Sequence, residues 1–223
     1  MSFFATLQAQ TTTERERLVA NPLVHKALAG TMDGDTYVAF LAQAYHHVKH
    51  TIPLLMAAGS RIPVRMEWLR SALAEYVEEE LGHQEWILND IRACGYDAEA
   101  VRHAIPNAET ELMVAYAYHV IDRGNPLGFF GMVHVLEGTS ISIADKAAQG
   151  IAESTGFDAN GFSYLRSHGA LDIEHVKFFE SLMDRIEDEE DQQVILHCAR
   201  MFYRLYGDIY SSVKPDQAIV LAV

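Results

Sequence analysis

The segment LRSHGALDIEHVKFF, Leu165 to Phe179, carries His168, Asp172 and His175 in an H-x3-D-x2-H spacing. On a helix, His168 and His175 flank Asp172 at about 40° and about 60°. Leu165, Val176, Phe179 and Met183 share that stripe, so the three polar groups fall on the core-facing side. Burying an unpaired carboxylate costs several kcal/mol. The triplet is therefore either a satisfied hydrogen-bonded trio or a set of ligands. EYVEEELGHQEW, Glu75 to Trp86, has the same character: Glu80 lies among Leu69, Leu73, Tyr76, Ile87 and Ile91, one turn from His83. The third case is Glu137, the only acid between Asp122 and Asp145, on the face of Phe130, Val133, Ile141 and Ala144. Gly138, Thr139 and Ser140 follow it and leave room for a cofactor or substrate. The competing reading is a buried glutamate paired with a base from another helix. Glu80, His83, Glu137, His168, Asp172 and His175 together make three carboxylates and three imidazoles, a set that fits two divalent ions with open positions. Iron and manganese accept such mixed nitrogen and oxygen ligands.

The elements that must position these residues read as helices by their 3.6-residue periodicity. Asp35 is placed to cap one running to about Ser60. A second runs from about Met66 to Ala93 and stops at Gly95. Asn107 opens a third that ends at DRGNP, and Asn125 with Pro126 opens a fourth, with Gly150 past its end. Another spans about Asn160 to Arg185. The last begins in EDEEDQQ, whose acids suit a helix N-terminus, and runs to about Tyr210. One or two shorter helices precede Gly30. No alternating strand pattern of useful length occurs. The expectation is an all-α, single-domain bundle over residues 1–223.

Composition narrows the function classes. The 223 residues carry a net charge of −14 with no basic stretch, which argues against nucleic acid and anionic membrane as partners. No stretch of about 18 uncharged apolar residues occurs, and the N-terminus lacks a basic n-region and an apolar h-region. A cytoplasmic location is expected, with Cys94 and Cys198 as reduced thiols.

The order E-x2-H, then LEGTS, then H-x3-D-x2-H resembles the haem-oxygenase-like diiron oxidases and oxygenases. That family shares its TenA-like helical fold with haem oxygenase, thiaminase II and the pyrroloquinoline-quinone synthase. The resemblance spans about Asp35 to Tyr210. It includes FLAQAYHHVKHTIPLLMAAGSRIP, which looks like the family's pocket-lining early helix. The ligand spacing is closest to the member that makes terminal alkenes from medium-chain fatty acids. Other members place the first glutamate seven residues before its histidine, where this chain has Tyr76. The resemblance implies that Glu80, His83 and His168 help hold one iron, that Asp172 and His175 hold a second and weaker one, and that Glu137 bridges or shifts between them. It implies O2 activation through a peroxo-diferric species, acting on a small substrate: a fatty acid, an amino acid or an amine.

Around that centre, Tyr45, His47, His50, Tyr76 and His134 are candidates for the substrate pocket. His46, His47 and His50 in YHHVKH also read as an accessory metal site, and His134 as a core histidine. Arg166, Arg200 and Arg204 could take a substrate carboxylate; with 31 acids in the chain, surface ion pairing is the stronger reading. Haem oxygenase is a rival on the same fold, with His25 near the position of a proximal ligand. However, HVLEGTSIS has one glycine where a glycine-rich distal helix is needed. Thiaminase II needs a cysteine on the helix of Glu137, and none lies there. A metal-independent enzyme like the pyrroloquinoline-quinone synthase and a non-enzymatic regulatory bundle complete the alternatives. A homodimer is expected from the fold family.

Overall fold

A computed structural model describes the backbone of residues 1–219 and all their side chains except those of 141–142, 168–175 and 219. Three short helices open the chain: α1 (Phe3–Gln10), α2 (Thr12–Val19) and α3 (Pro22–Leu28). Then come α4 (Gly34–Val48), α5 (Thr51–Arg61), α6 (Trp68–Glu79), α7 (His83–Ala93), α8 (Ala98–His103) and α9 (Ala108–Arg123). The long helices α10 (Phe129–Thr155), α11 (Ser163–Met183) and α12 (Glu189–Ser212) follow, and α13 (Asp216–Ile219) closes the described chain. Among the described residues there is no strand.

The core forms where α10 packs against α11 and α12. Phe130, Phe162, Phe179 and Phe202 are fully buried there; each such side chain contributes about 1.5–3 kcal/mol. Cys94 and Cys198 are buried free thiols within this interior.

Three helices differ from their sequence-based bounds. The first is capped by Asp33, not Asp35: the Asp33 carboxylate accepts from the Thr36 amide and hydroxyl at 2.8 and 2.9 Å. Asp35 instead accepts from the Tyr96 hydroxyl. This helix also divides into α4 and α5 at Lys49 and His50. The helix expected over Met66 to Ala93 breaks after Glu79, because Gly82 takes φ +90°. That left-handed conformation is open to glycine at little cost and to other residues only with strain. Finally, α10 continues through Gly150 to Thr155 and ends at Gly156. Gly150 serves close packing, not termination: a Cβ there would collide with the Ala27 carbonyl of α3.

α10 bends by 49° between Pro126–Ser140 and Ile143–Thr155. No single helix among the described residues is long and apolar enough to cross a membrane. Only these two bent halves together pass by length and composition, and they carry buried core residues such as Phe130, Val135, Ala144 and Ala148.

One polar clamp positions α11. Asp90 of α7, fully buried, accepts from the Ser163 amide and hydroxyl at 3.0 and 2.5 Å and from the Tyr164 amide at 2.9 Å. It caps the N-terminus of α11 from a different helix and satisfies amides that no intrahelical carbonyl can reach. Burial raises its carboxyl pKa above the ordinary value, even though these donors pull the other way.

Candidate metal centre

The break between α6 and α7 brings Glu80 and His83 together. Glu80 is the last-turn cap of α6 and His83 opens α7. His83 Nδ1 lies 2.9 Å from Glu80 Oε2, and both side chains are largely buried. The His83 ring stacks on Trp86, centroids 4.0 Å apart at 30°, which fixes its plane. The pair sits at a corner between helices, not on one continuous helical stripe as the periodicity suggested.

Glu80 and Glu137 line one cavity between α4, α5, α6 and α10, together with His47, Tyr76, Leu55 and Met132. The Tyr76 hydroxyl stands beside Glu137. Burial first, and then the Glu137 carboxylate, pushes the phenol pKa far up, so it stays protonated at all ordinary pH. Ser140, Tyr164 and Tyr206 are shared with a second, more apolar chamber, walled by residues such as Leu23, Met32, Phe40 and Ile151. On its other side Glu137 borders a separate cavity with Arg15, Gly138 and His134.

These residues fit a metal by their donor chemistry. Glu80 and His83 supply the oxygen and nitrogen donors that divalent iron accepts, although among the described residues no group of three His, Cys, Asp or Glu is placed to hold an ion. A second carboxylate on the same cavity would offset the charge of a divalent ion, which lowers its burial cost. The side chains of His168, Asp172 and His175 lie outside the described residues, although the backbone places all three on α11.

The pocket candidates separate. His47 and Tyr76 line the Glu80–Glu137 cavity. His134 is 5% exposed, with Nε2 3.2 Å from the Thr11 hydroxyl and its ring among Phe4, Phe179 and Tyr203. Burial, reinforced by Arg15, lowers its pKa to about 4. Tyr45 is buried, with Lys49 Nζ 5.4 Å above its ring. His50 turns the other way, its Nδ1 3.3 Å from the Tyr118 hydroxyl.

Arg200 pairs with Glu14 at 3.8 Å and donates to the Gln10 carbonyl. Arg166 lies over the Phe162 ring, and Arg204 faces a surface groove with Arg17 and Asp208. His25 is exposed on α3, whereas its neighbours Leu23, Val24 and Ala27 face the apolar chamber. Sequence reasoning missed Tyr164, Tyr206 and Trp86. Tyr164 had a signal, since it lies four residues before His168 on the same helical face.

These helices define a haem-oxygenase-like fold. The chain is similar to a domain of unknown function with a heme oxygenase-like fold from Shewanella denitrificans, with TM-score 0.87 and 21% identity over 97% of this chain and 94% of that one. It is similar to a TenA homolog from Pseudomonas syringae pv. tomato, with TM-score 0.78 and 12% identity over 98% and 93%. It is also similar to heme oxygenase-1 from the cyanobacterium Synechocystis, solved in complex with heme, with TM-score 0.75 and 11% identity over 99% and 96%. No curated protein matches the sequence. The sequence model of a family described as iron-containing redox enzyme matches residues 38–207, and the chain belongs to that family.

Proposed function

We propose that the protein is a non-haem diiron oxidase or oxygenase. Glu80, His83, Glu137, His168, Asp172 and His175 would hold the iron, with manganese as an alternative ion and the second site the weaker. The observation that carries this reading is the buried Glu80–His83 pair at the α6–α7 corner, with Glu80 and Glu137 lining one cavity. Bound iron would supply the electrons for O2 activation, which no protein side chain here provides.

The chain's own residues have definable tasks. Trp86 holds the His83 ring in plane. Tyr76, kept protonated, offers a hydrogen-bond donor to Glu137 and so orients its carboxylate. Leu54, Leu55, Met132 and Leu136 exclude water from the carboxylates. Tyr164 and Tyr206 stand between the metal-side cavity and the apolar chamber, where they would position a substrate whose apolar part extends past Ser140. That layout suits a small molecule with an apolar arm. The partners are that substrate and O2, and the setting is cytoplasmic, with a homodimer the expected assembly.

The test is anaerobic loading with ferrous iron, counted for wild type and for Glu80→Ala and Asp172→Ala, followed by exposure to O2 with fatty acids and amino acids. Near two irons in wild type, fewer in both variants, and substrate-dependent O2 consumption are expected. A wild type that takes up no iron, or consumes O2 equally without it, sinks the reading. A Soret band on adding haem would favour haem oxygenase instead.

A further inference from the structure

The last turn of α4 divides its polar residues between two sides. His47 faces the carboxylate cavity, while His46, Lys49 and His50 face a separate groove against α9 and the loop before it. That groove has a volume of about 350 Å³ and is walled by Ile105, Pro106, Val114 and Ala115. It falls at the small end of the range for ligand pockets, about 300–1,000 Å³.

One histidine in the groove is paired with an ammonium. Lys49 Nζ lies 3.1 Å from His46 Nδ1 and over the face of Tyr45. An ammonium only donates, so His46 Nδ1 accepts and the ring proton sits on Nε2. His46 Nε2 is buried and has no hydrogen-bond partner. His46 is 2% exposed, so this unsatisfied donor carries a real desolvation cost. The polar contact the ring makes in return is the one that holds Lys49. A histidine kept buried at such a cost to place an ammonium implies a use for the ammonium.

The surroundings favour an anion. Among the described residues Lys49 makes no ion pair, and burial lowers its pKa. His46 and His50 are likewise shifted down, by burial first and then by Lys49. Glu111 lies on the exposed rim of the groove and makes no ion pair with Lys49 among the described residues. A cation in a half-buried groove that no ion pair neutralises gains from an anion that reaches it. One cation matches one negative charge, and Glu111 at the rim opposes a more highly charged ligand. Positive charge on Lys49 also works against a metal ion at His46 and His50.

We propose that this groove binds a small organic monocarboxylate. The carboxylate pairs with Lys49, His50 flanks it, and the apolar body lies against Ile105, Pro106 and Val114. His46 is a positioning residue that aims the ammonium. The site is separate from the proposed metal centre and does not depend on that reading.

Ligand-observed NMR titration of the full-length, iron-loaded protein with benzoate tests this, with neutral benzamide as the control. Benzoate should bind in roughly the millimolar range and benzamide should not. Lys49→Met should weaken benzoate about tenfold or more, equivalent to about 1.4 kcal/mol, and leave iron content unchanged. Glu111→Gln should tighten it a few-fold. His46→Gln, which keeps an acceptor for Lys49, should bind better than His46→Leu. Equal binding of benzoate by wild type and a folded Lys49→Met would overturn the proposal. So would benzamide binding as tightly as benzoate, inorganic phosphate displacing benzoate at lower concentration, or zinc binding that His46→Gln abolishes.

Discussion

Two pockets lie back to back on α4 and have opposite electrostatics. The inner one gathers Glu80 and Glu137 with a neutral Tyr76, and His47 faces it from α4. The outer one gathers Lys49, His46 and His50, with Glu111 exposed at its rim. The inner one concentrates negative charge and the outer one holds a single ammonium, and each costs free energy unless something of opposite sign compensates. The difference teaches what each is built to hold: clustered carboxylates call for cations, and an uncompensated ammonium calls for an anion. Adjacent residues on one helix serve both because His46 and His47 point about 100° apart.

The sharpest break between the two sides is a charge deletion on each. Glu137→Ala should reduce iron uptake and cut substrate-dependent O2 consumption by about 100-fold or more, whereas Lys49→Met should alter neither. Anaerobic iron titration and an oxygen electrode read both, and equal losses in the two variants would merge the pockets into one functional unit.

Acidification probes the outer side. His46 has its pKa lowered to about 4, mainly by burial. Between about 6.5 and 4 the unfolded chain binds a proton there and the folded one does not, so stability falls as pH drops through that window. The contribution at stake is at most about 3 kcal/mol, present above pH 6.5 and lost by pH 4. Urea midpoints across that range should flatten in His46→Gln, and an unchanged slope would contradict the neutral buried ring.

Asp90→Ala removes the clamp on the start of α11, the helix that carries H-x3-D-x2-H. A loss of about 2 kcal/mol is expected in urea unfolding, with weaker iron retention. The outer groove should still bind benzoate, since no described residue of α11 lines it. The smallest effect belongs to Gly82→Ala. A Cβ there meets nothing within 4 Å among the described residues, so only the left-handed conformation opposes it, at about 1 kcal/mol. A thermal melt shifted by a few degrees, with iron binding weakened through the Glu80–His83 corner, would locate that strain on the inner side.

Much of the fold was legible from periodicity: α9, α11 and α12 lie close to where their apolar stripes place them. Family membership was legible too, because the ligand spacing is a property of the chain alone. Breaks were harder to read. The sequence around Glu80 keeps its helical pattern through the turn, and only the positive φ at Gly82 shows that the helix stops. Gly150 looked like a terminus, yet it marks the crossing of α3, a contact between segments more than a hundred residues apart. Of the six ligand-type residues, Glu80 pairs with His83 and shares a cavity with Glu137. The side chains of the other three lie outside the described residues.

The sequence by itself determined the helical class, the acidic character and the types of donor atom available, because these follow from composition and from a 3.6-residue period. Only the tertiary structure decided that Glu80 meets His83 at a corner, that Asp90 caps a helix it does not belong to, and that Lys49 turns to His46 in a groove with Glu111 at its rim. Those outcomes depend on which helix packs across from which, and local spacing carries no information about that.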